Sequence, residues 1–206
     1  MFILGIDVGT RNLGLCIIQK PSGPLSTHCV MVHRWVNVDL FPNSKNVNKI
    51  ELGRLMTSVV DTVWEMVHGA RRLAGLMPLA IAIERQPNCN PRMKAVGASV
   101  FSACYVFTKT DVQCTVHYVS AGKKFQVHEA SCVNRKALDD SAATKKATAR
   151  ERYAANKKDG IMTVRHLIGS GALEFEANGN ELGAAGFEAS RKKDDLADSL
   201  LIALSY

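Results

Sequence analysis

Two short apolar runs, each stopped by an acid, constrain this chain more than any other feature. Phe2-Ile3-Leu4-Gly5-Ile6 meets Asp7, and Leu79-Ala80-Ile81-Ala82-Ile83 meets Glu84. An unbroken apolar run of this length reads as a strand covered on both faces, the central position in an α/β sheet. Each acid then lies where its strand opens out at the sheet edge. A third and a fourth acid, Asp195 and Asp198, stand in Lys192-Lys193-Asp194-Asp195-Leu196-Ala197-Asp198-Ser199 near the other end of the chain.

The remaining pattern fits the same class. The turn Gly9-Thr10-Arg11-Asn12 leads to a second apolar run, 14–18, which predicts a hairpin. Residues 29–38 are β-rich and predict a third strand. Leu52, Leu55, Met56, Val59, Val63 and Val67 recur at helical spacing, so 50–67 is a long amphipathic helix ending between 70 and 75. Pro87 and Pro91 break the chain. A second helix covers 93–108, where Ala95, Gly97, Ala98, Ser99 and Ala103 permit close packing. Residues 112–119 alternate as a fifth strand. From 120 to 156 the chain turns polar and basic, with a helix expected at 142–155. A further helix at 161–168 follows Gly160, which reads as a kink or a cap. The glycine-rich 169–186 reads as loop, and 193–206 as the last helix. This order predicts an α/β fold with a mixed five-stranded central sheet flanked by helices. It fits a single domain over 1–206 with a basic helical insertion at about 120–170.

Composition narrows the partners. The 206 residues are 47% apolar and 22% charged, which suits one soluble domain with a sizeable core. A net charge of +7 and a pI of about 9.2 suit a polyanion, because Lys and Arg release counterions from phosphates. The six cysteines show neither CxxC pairs nor Cys/His spacing for zinc, and so point to a reducing compartment. No run approaches the roughly 18 apolar residues of a membrane span. The run 2–6 lacks the basic start of a signal peptide. An intracellular, non-secreted protein without a membrane span is expected.

The acids carry the chemistry. Asp195 and Asp198 stand at i,i+3 and share one helix face. Leu200, Leu201 and Leu204 crowd that helix with apolar groups, so it is expected to be buried. Two acids on one face of a buried helix repel and desolvate badly unless a cation sits between them. The competing reading is a solvated first turn, where the helix dipole favours acids. Asp7 and Glu84, each at the end of an apolar run, shift the balance to a cation site. Mg²⁺ takes oxygen ligands and keeps several waters, so a few carboxylates suffice per ion. Two such ions clamp the attacking and leaving oxygens of in-line phosphoryl transfer. In a chain this basic, the pattern predicts metal-dependent cutting of nucleic acid. Arg11, Arg85, Lys123, Lys124, Lys145, Lys146 and Arg150 are the candidate DNA contacts, with Arg152, Lys157 and Lys158 extending the phosphate track. The six histidines show no ligand spacing.

The segment Gly5-Ile6-Asp7-Val8-Gly9-Thr10-Arg11-Asn12-Leu13-Gly14 also resembles the first phosphate loop of sugar kinases and actin-like ATPases. Those folds duplicate the domain, and no second phosphate loop is present. Together with Ile83-Glu84-Arg85-Gln86-Pro87 and Lys193-Asp194-Asp195-Leu196-Ala197-Asp198-Ser199, the same hairpin carries a fuller resemblance. The sequence resembles the RuvC-type Holliday junction resolvases of the RNase H superfamily, and most nearly the poxvirus-type resolvases of large DNA viruses. That resemblance implies an RNase H-like fold, with Asp7, Glu84, Asp195 and Asp198 as the metal-binding catalytic tetrad. It implies two Mg²⁺ ions, with Mn²⁺ as a substitute, and Asp7 bridging them. It further implies a homodimer that nicks four-way DNA junctions on opposed strands, leaving 5′-phosphate and 3′-hydroxyl ends. The place of action would be where viral or cellular DNA is replicated. The alternative is another RNase H-like nuclease, acting on RNA–DNA hybrids, structured RNA or flaps.

Overall fold

The first strand, β1 (Phe2–Val8), is the axis of the molecule in the computed structural model, which describes residues 1–21, 29–86, 90–123, 127, 148–176 and 183–206. Its apolar run is covered on both faces, as a central strand requires. The turn at 9–11 returns the chain as β2 (Asn12–Gln19), antiparallel to β1, with Asp7 opposite Gly14. Next come β3 (Val30–Asp39), a short 3₁₀ turn and the long helix α1 (Leu52–Ala74). Strand β4 (Leu79–Glu84) then lies parallel to β1, with Ile6 opposite Ile83.

Helix α2 (Pro91–Thr108) starts two residues before the expected 93, with Pro91 inside its first turn. The Asn90 side chain accepts from the Met93 N–H, and Pro91 follows in the first turn, where no backbone donor is needed. Strand β5 (Cys114–Val119) is next, parallel to β4. Helix α3 (Ala149–Gly169) opens with a Thr148–Glu151 capping box. Then follow β6 (Leu173–Phe175), α4 (Ala184–Ala189) and α5 (Lys193–Ser205). The sheet order is β5-β4-β1-β2-β3-β6.

Three expectations change. The sheet has six strands rather than five, because β6 forms inside the stretch expected to be loop. Three residues are too few to show alternation, yet Leu173 is buried and β6 pairs with Val30–Val32 of β3. Helix α3 continues through Gly160, which is therefore not a cap. A helical glycine costs only about 1 kcal/mol, and Gly160 packs against Leu201. Helix α4 begins at the end of the expected loop and buries Phe187 just beyond it.

The sheet separates two apolar layers. Phe2, Leu4, Ile6 and Val8 point to one side, with Leu79, Ile81 and Ile83, and meet α1 and α2. Ile3, Cys16, Ile18, Ala80 and Ala82 point to the other side and meet α5, with α3 and α4 over it. Among the described residues, no helix is long and apolar enough to cross a membrane. Cys16, Cys29, Cys104 and Cys114 are free. Burial pushes the Cys104 thiol up to about 12, and the Cys16 thiol is raised by the same cause. Both therefore serve as small core residues.

Candidate active site

The period-two alternation of the strands decides where the acids point. Asp7 is in phase with Ile3 and Gly5, and Glu84 with Ala80 and Ala82, so both face the α5 side. Because Ile6 pairs with Ile83 in parallel register, Asp7 and Glu84 lie one step further along neighbouring strands. Asp7 is inside β1, with Val8 completing the strand, and Glu84 is the last residue of β4. The two carboxylates thus stand beside each other at one end of the sheet. Gly14 and then Asn37 continue this row across β2 and β3.

Small residues bring α5 down onto that row. A Cβ on Gly14 would sit 2.4 Å from the Asp195 carbonyl oxygen, and 3.3 Å from the Asp7 Cβ. A Cβ on Gly5 would sit 2.3 Å from the Ser199 carbonyl oxygen and 2.8 Å from the Ala203 Cβ. Gly14 therefore serves the helix: it lets the turn bearing Asp195 close on Asp7. Trp35 fixes the same turn from β3, donating its Nε1–H to the Leu196 carbonyl at 2.9 Å while stacked on Phe187. At the other end, the Lys20 ammonium donates to the Leu204 carbonyl, a cation at the helix C-terminus.

Helix α3 closes the site from the far side. The Lys157 ammonium is hydrogen-bonded to Asp194 and lies 3.6 Å from Asp195. Lys192 lies 3.8 Å from Asp195. One turn along α3, a Cβ on Gly160 would come within 3.8 Å of Asp198 Oδ1. Burial works to lower the Lys157 pKa, but hydrogen bonds with Asp194 and Tyr153 and the Asp194 charge carry it above the usual lysine range. Burial likewise works to raise Asp194, and Lys157 overrides it and holds the carboxyl below its ordinary value. The sequence placed Lys157 only in the phosphate track. Its contact with the acids spans two segments 37 residues apart, which no local pattern reveals.

Asn37 was also missed. Its side-chain Oδ1 is buried with no hydrogen-bond partner among the described residues. A register shift at Ile17/Ile18 pairs Ile18 with Val32 but Ile17 with Arg34. This bulge puts Val32, Trp35 and Asn37 on one side of β3 and hides Asn37 from simple alternation.

Of the basic candidates, Arg11 donates from Nε and Nη2 to Asp39 at 3.1 and 3.0 Å, and from Nη1 to the Ser44 carbonyl. It ties the β1–β2 turn to the end of β3. Arg85 is exposed beside Glu84, with its guanidinium 5.8 Å from the Tyr118 ring centre. Lys123 is exposed just after β5. Lys124, Lys145, Lys146 and the side chain of Arg150 lie outside the described residues.

The donor set fits a hard divalent cation: carboxylate oxygens from β1, β4 and α5, with an orphaned amide oxygen on the next strand but one. Among the described residues, no three His, Cys, Asp or Glu side chains form a ready-made cage. In the free chain the Lys157 and Lys192 ammonium groups supply positive charge at Asp194 and Asp195.

No family model matches the chain, and no curated protein sequence matches it. Solved structures do. The yeast mitochondrial Holliday junction resolvase Ydc2 is 18% identical, with a TM-score of 0.61 over 98% of this chain and 77% of that one. RuvC from Thermus thermophilus, solved in complex with Holliday junction substrate, is 17% identical, with a TM-score of 0.56 over 100% of this chain and 92% of its own. The Fowlpox virus resolvase, solved with Holliday junction DNA, is 16% identical, with a TM-score of 0.53 over 100% and 96%. The likeness is one of fold: this chain has the RNase H-like fold of the Holliday junction resolvases.

Proposed function

We propose that this chain is itself a junction-resolving endonuclease, hydrolysing phosphodiesters of four-way DNA at a divalent-cation site built from Asp7, Glu84, Asp195 and Asp198. The observation that carries the reading is the row at the sheet end. Asp7 and Glu84 share one face, and Gly14 admits the α5 turn bearing Asp195 against Asp7. The clearance is for the backbone of the α5 turn, and it seats that turn, with Asp195 on it, beside Asp7. The whole-chain fold likeness to resolvases, two of them solved with junction DNA, supports the substrate.

The chain's own residues divide the work. Asp7, Glu84 and Asp198, with Asp195, would hold two Mg²⁺ ions, Mn²⁺ being the natural substitute. When bound, Mg²⁺ supplies the Lewis acidity that activates water and offsets charge on the attacking and leaving oxygens. Lys157 offsets the mutual repulsion of the α5 acids until the ions arrive. Arg85, Lys123, Lys124, Lys145, Lys146 and Arg150 would position phosphates around the site, and Arg11 would hold the turn beside it. A homodimer is the matching assembly, since a two-fold junction nicked on opposed strands calls for a C₂ pair of sites. The exposed face of α2, with Ala98, Tyr105 and Val106, offers a surface for it.

The test is gel analysis of an end-labelled synthetic junction beside matched linear duplex, flap and RNA–DNA hybrid, each with Mg²⁺ or with EDTA. Paired nicks on the junction alone, abolished by EDTA, are expected. Preferential cutting of the hybrid or the flap would move the chain to another RNase H-like nuclease class. An uncut junction bound with Mg²⁺ present would leave a binding protein without catalysis.

A further inference from the structure

A groove of about 630 Å³ runs between α3 and the start of α5, lined by Lys158, Ile161, Met162, Arg165 and Lys193. Lys158, Met162 and Arg165 follow at i, i+4 and i+7, so they form one stripe along α3. Lys157, next to this stripe, turns instead to the acids. The groove therefore begins one residue from the site proposed above.

Its charges are unequal. Arg165 is already satisfied by Glu188 through two bonds of 2.7 Å, so it acts as a fixed wall. Lys158 is exposed and has no carboxylate within ion-pair distance among the described residues. Lys193 donates to the Ser190 carbonyl at 3.0 Å and lies near enough to Glu188 to add to Arg165 in lowering its carboxyl pKa, without an ion pair at contact distance among the described residues. The Lys158 ammonium, with no acid paired to it among the described residues, and the Lys193 ammonium, which makes no contact ion pair among them, thus flank a floor of Ile161 and Met162, and Met162 is 46% exposed. The volume falls in the range of roughly 300–1,000 Å³ typical of small-ligand clefts.

We propose that this groove is a subsite for one unpaired nucleotide of the DNA strand at the branch point: phosphate on Lys158 and Lys193, base on Ile161 and Met162. A purely electrostatic track needs cations alone. An apolar floor between the cations suits a unit that is anionic at one end and flat and apolar at the other. In duplex DNA the base faces are stacked away, so only an unstacked nucleotide can use both parts. The inference rests on the junction-nuclease reading and extends it to how the branch is held.

The experiment measures binding in EDTA over a salt series, for wild type, Lys158→Ala, Met162→Ala, Met162→Leu and a distant control, Lys109→Ala. The ligands are a labelled four-way junction and a linear duplex of the same sequence. Lys158→Ala is expected to weaken junction binding and to lower the slope of log K against log salt by about 0.7–0.9. Met162→Ala should weaken junction binding several-fold, leave the salt slope and duplex affinity unchanged, and be rescued by Met162→Leu. If wild type binds the junction but Lys158→Ala matches Lys109→Ala, the subsite is overturned while the nuclease reading stands. A Met162→Ala effect equal on junction and duplex, or none on either, overturns the nucleotide assignment. If these variants change the protein's mass in solution and not its DNA affinity, the groove belongs to a protein partner and the proposal fails. Wild type that binds neither DNA sinks both readings.

Discussion

The two faces of the sheet are built on different principles. The α1/α2 face closes with long aliphatic side chains in helical phase, among them Leu55, Val59, Val63 and Val67 on fully buried strand partners. The α5 face closes by close approach: Gly5, Gly14, Ser199 and Ala203 bring backbone against backbone. Fat packing holds a helix at side-chain distance from the strands and leaves no room for a polar site. Thin packing brings a helix end within reach of strand acids, at the cost of fitting charge into the seam. The seam answers with Lys157 on Asp194 and Asp195 and with Trp35 on the Leu196 carbonyl. Both faces bury a core, but the proposed chemistry would lie on the α5 face alone, and substitutions should separate the two.

The largest separation is expected at Asp7. Asp7→Asn should show no detectable junction cleavage at any Mg²⁺ concentration, while junction binding stays within a few-fold and the melting temperature barely moves. Wild-type cleavage by this variant would remove the acid row from the mechanism. Next is Gly14→Ala, which puts a methyl 2.4 Å from the Asp195 carbonyl oxygen. Displacing α5 should cut cleavage by about 10- to 100-fold, the scale of losses from disturbed ligand support, and cost about 1–3 kcal/mol in denaturant melts.

The α5 acids then sharpen the comparison within the thin face. Asp195→Asn and Asp198→Asn should each cripple Mg²⁺-dependent cleavage, and Asp194→Asn should be mild, because Asp194 is held by Lys157. Single-turnover rates for the three, with circular dichroism to confirm folding, decide it; a severe Asp194→Asn would make that residue a ligand. On the other face, Leu55→Ala should lower unfolding free energy by about 2–5 kcal/mol yet leave the cleavage rate per folded molecule unchanged. Equal damage to rate and stability there would erase the division of labour.

The smallest effect is in pH. Asp194 titrates below its ordinary value of 3.8, so its contribution to stability is present above that value and is lost as pH falls through the folded pKa. Lys157 titrates above its ordinary value of 10.5, so its contribution is complete below that value and is lost only as pH rises through the folded pKa. The stability difference between wild type and Asp194→Asn should therefore be flat through neutral pH and narrow at both extremes. A difference that changes near pH 7 would point to another partner for Lys157.

Much of this was legible in the chain. The apolar runs before Asp7 and Glu84, the phase of α1, the small-residue face of α2 and the burial of α5 are all local or short-period signals. They follow from burial and backbone geometry that each segment carries with it. Parity along β1 and β4 even tells which side the two acids share, once the strands are known to be neighbours. That neighbourhood, and everything built on it, was decided only by the tertiary structure. A glycine's meaning depends on what lies across from it: Gly14 opens the second apolar run in sequence and is a seat for the Asp195 carbonyl in space. Lys157 reads as one cation in a basic stretch and becomes the counter-charge of two acids 37 and 38 residues later. The bulge that turns Asn37 inward and the pairing of β6 with β3 depend on register between strands. Contacts at such separations arise from the packing of whole elements, whose free energies no segment holds alone.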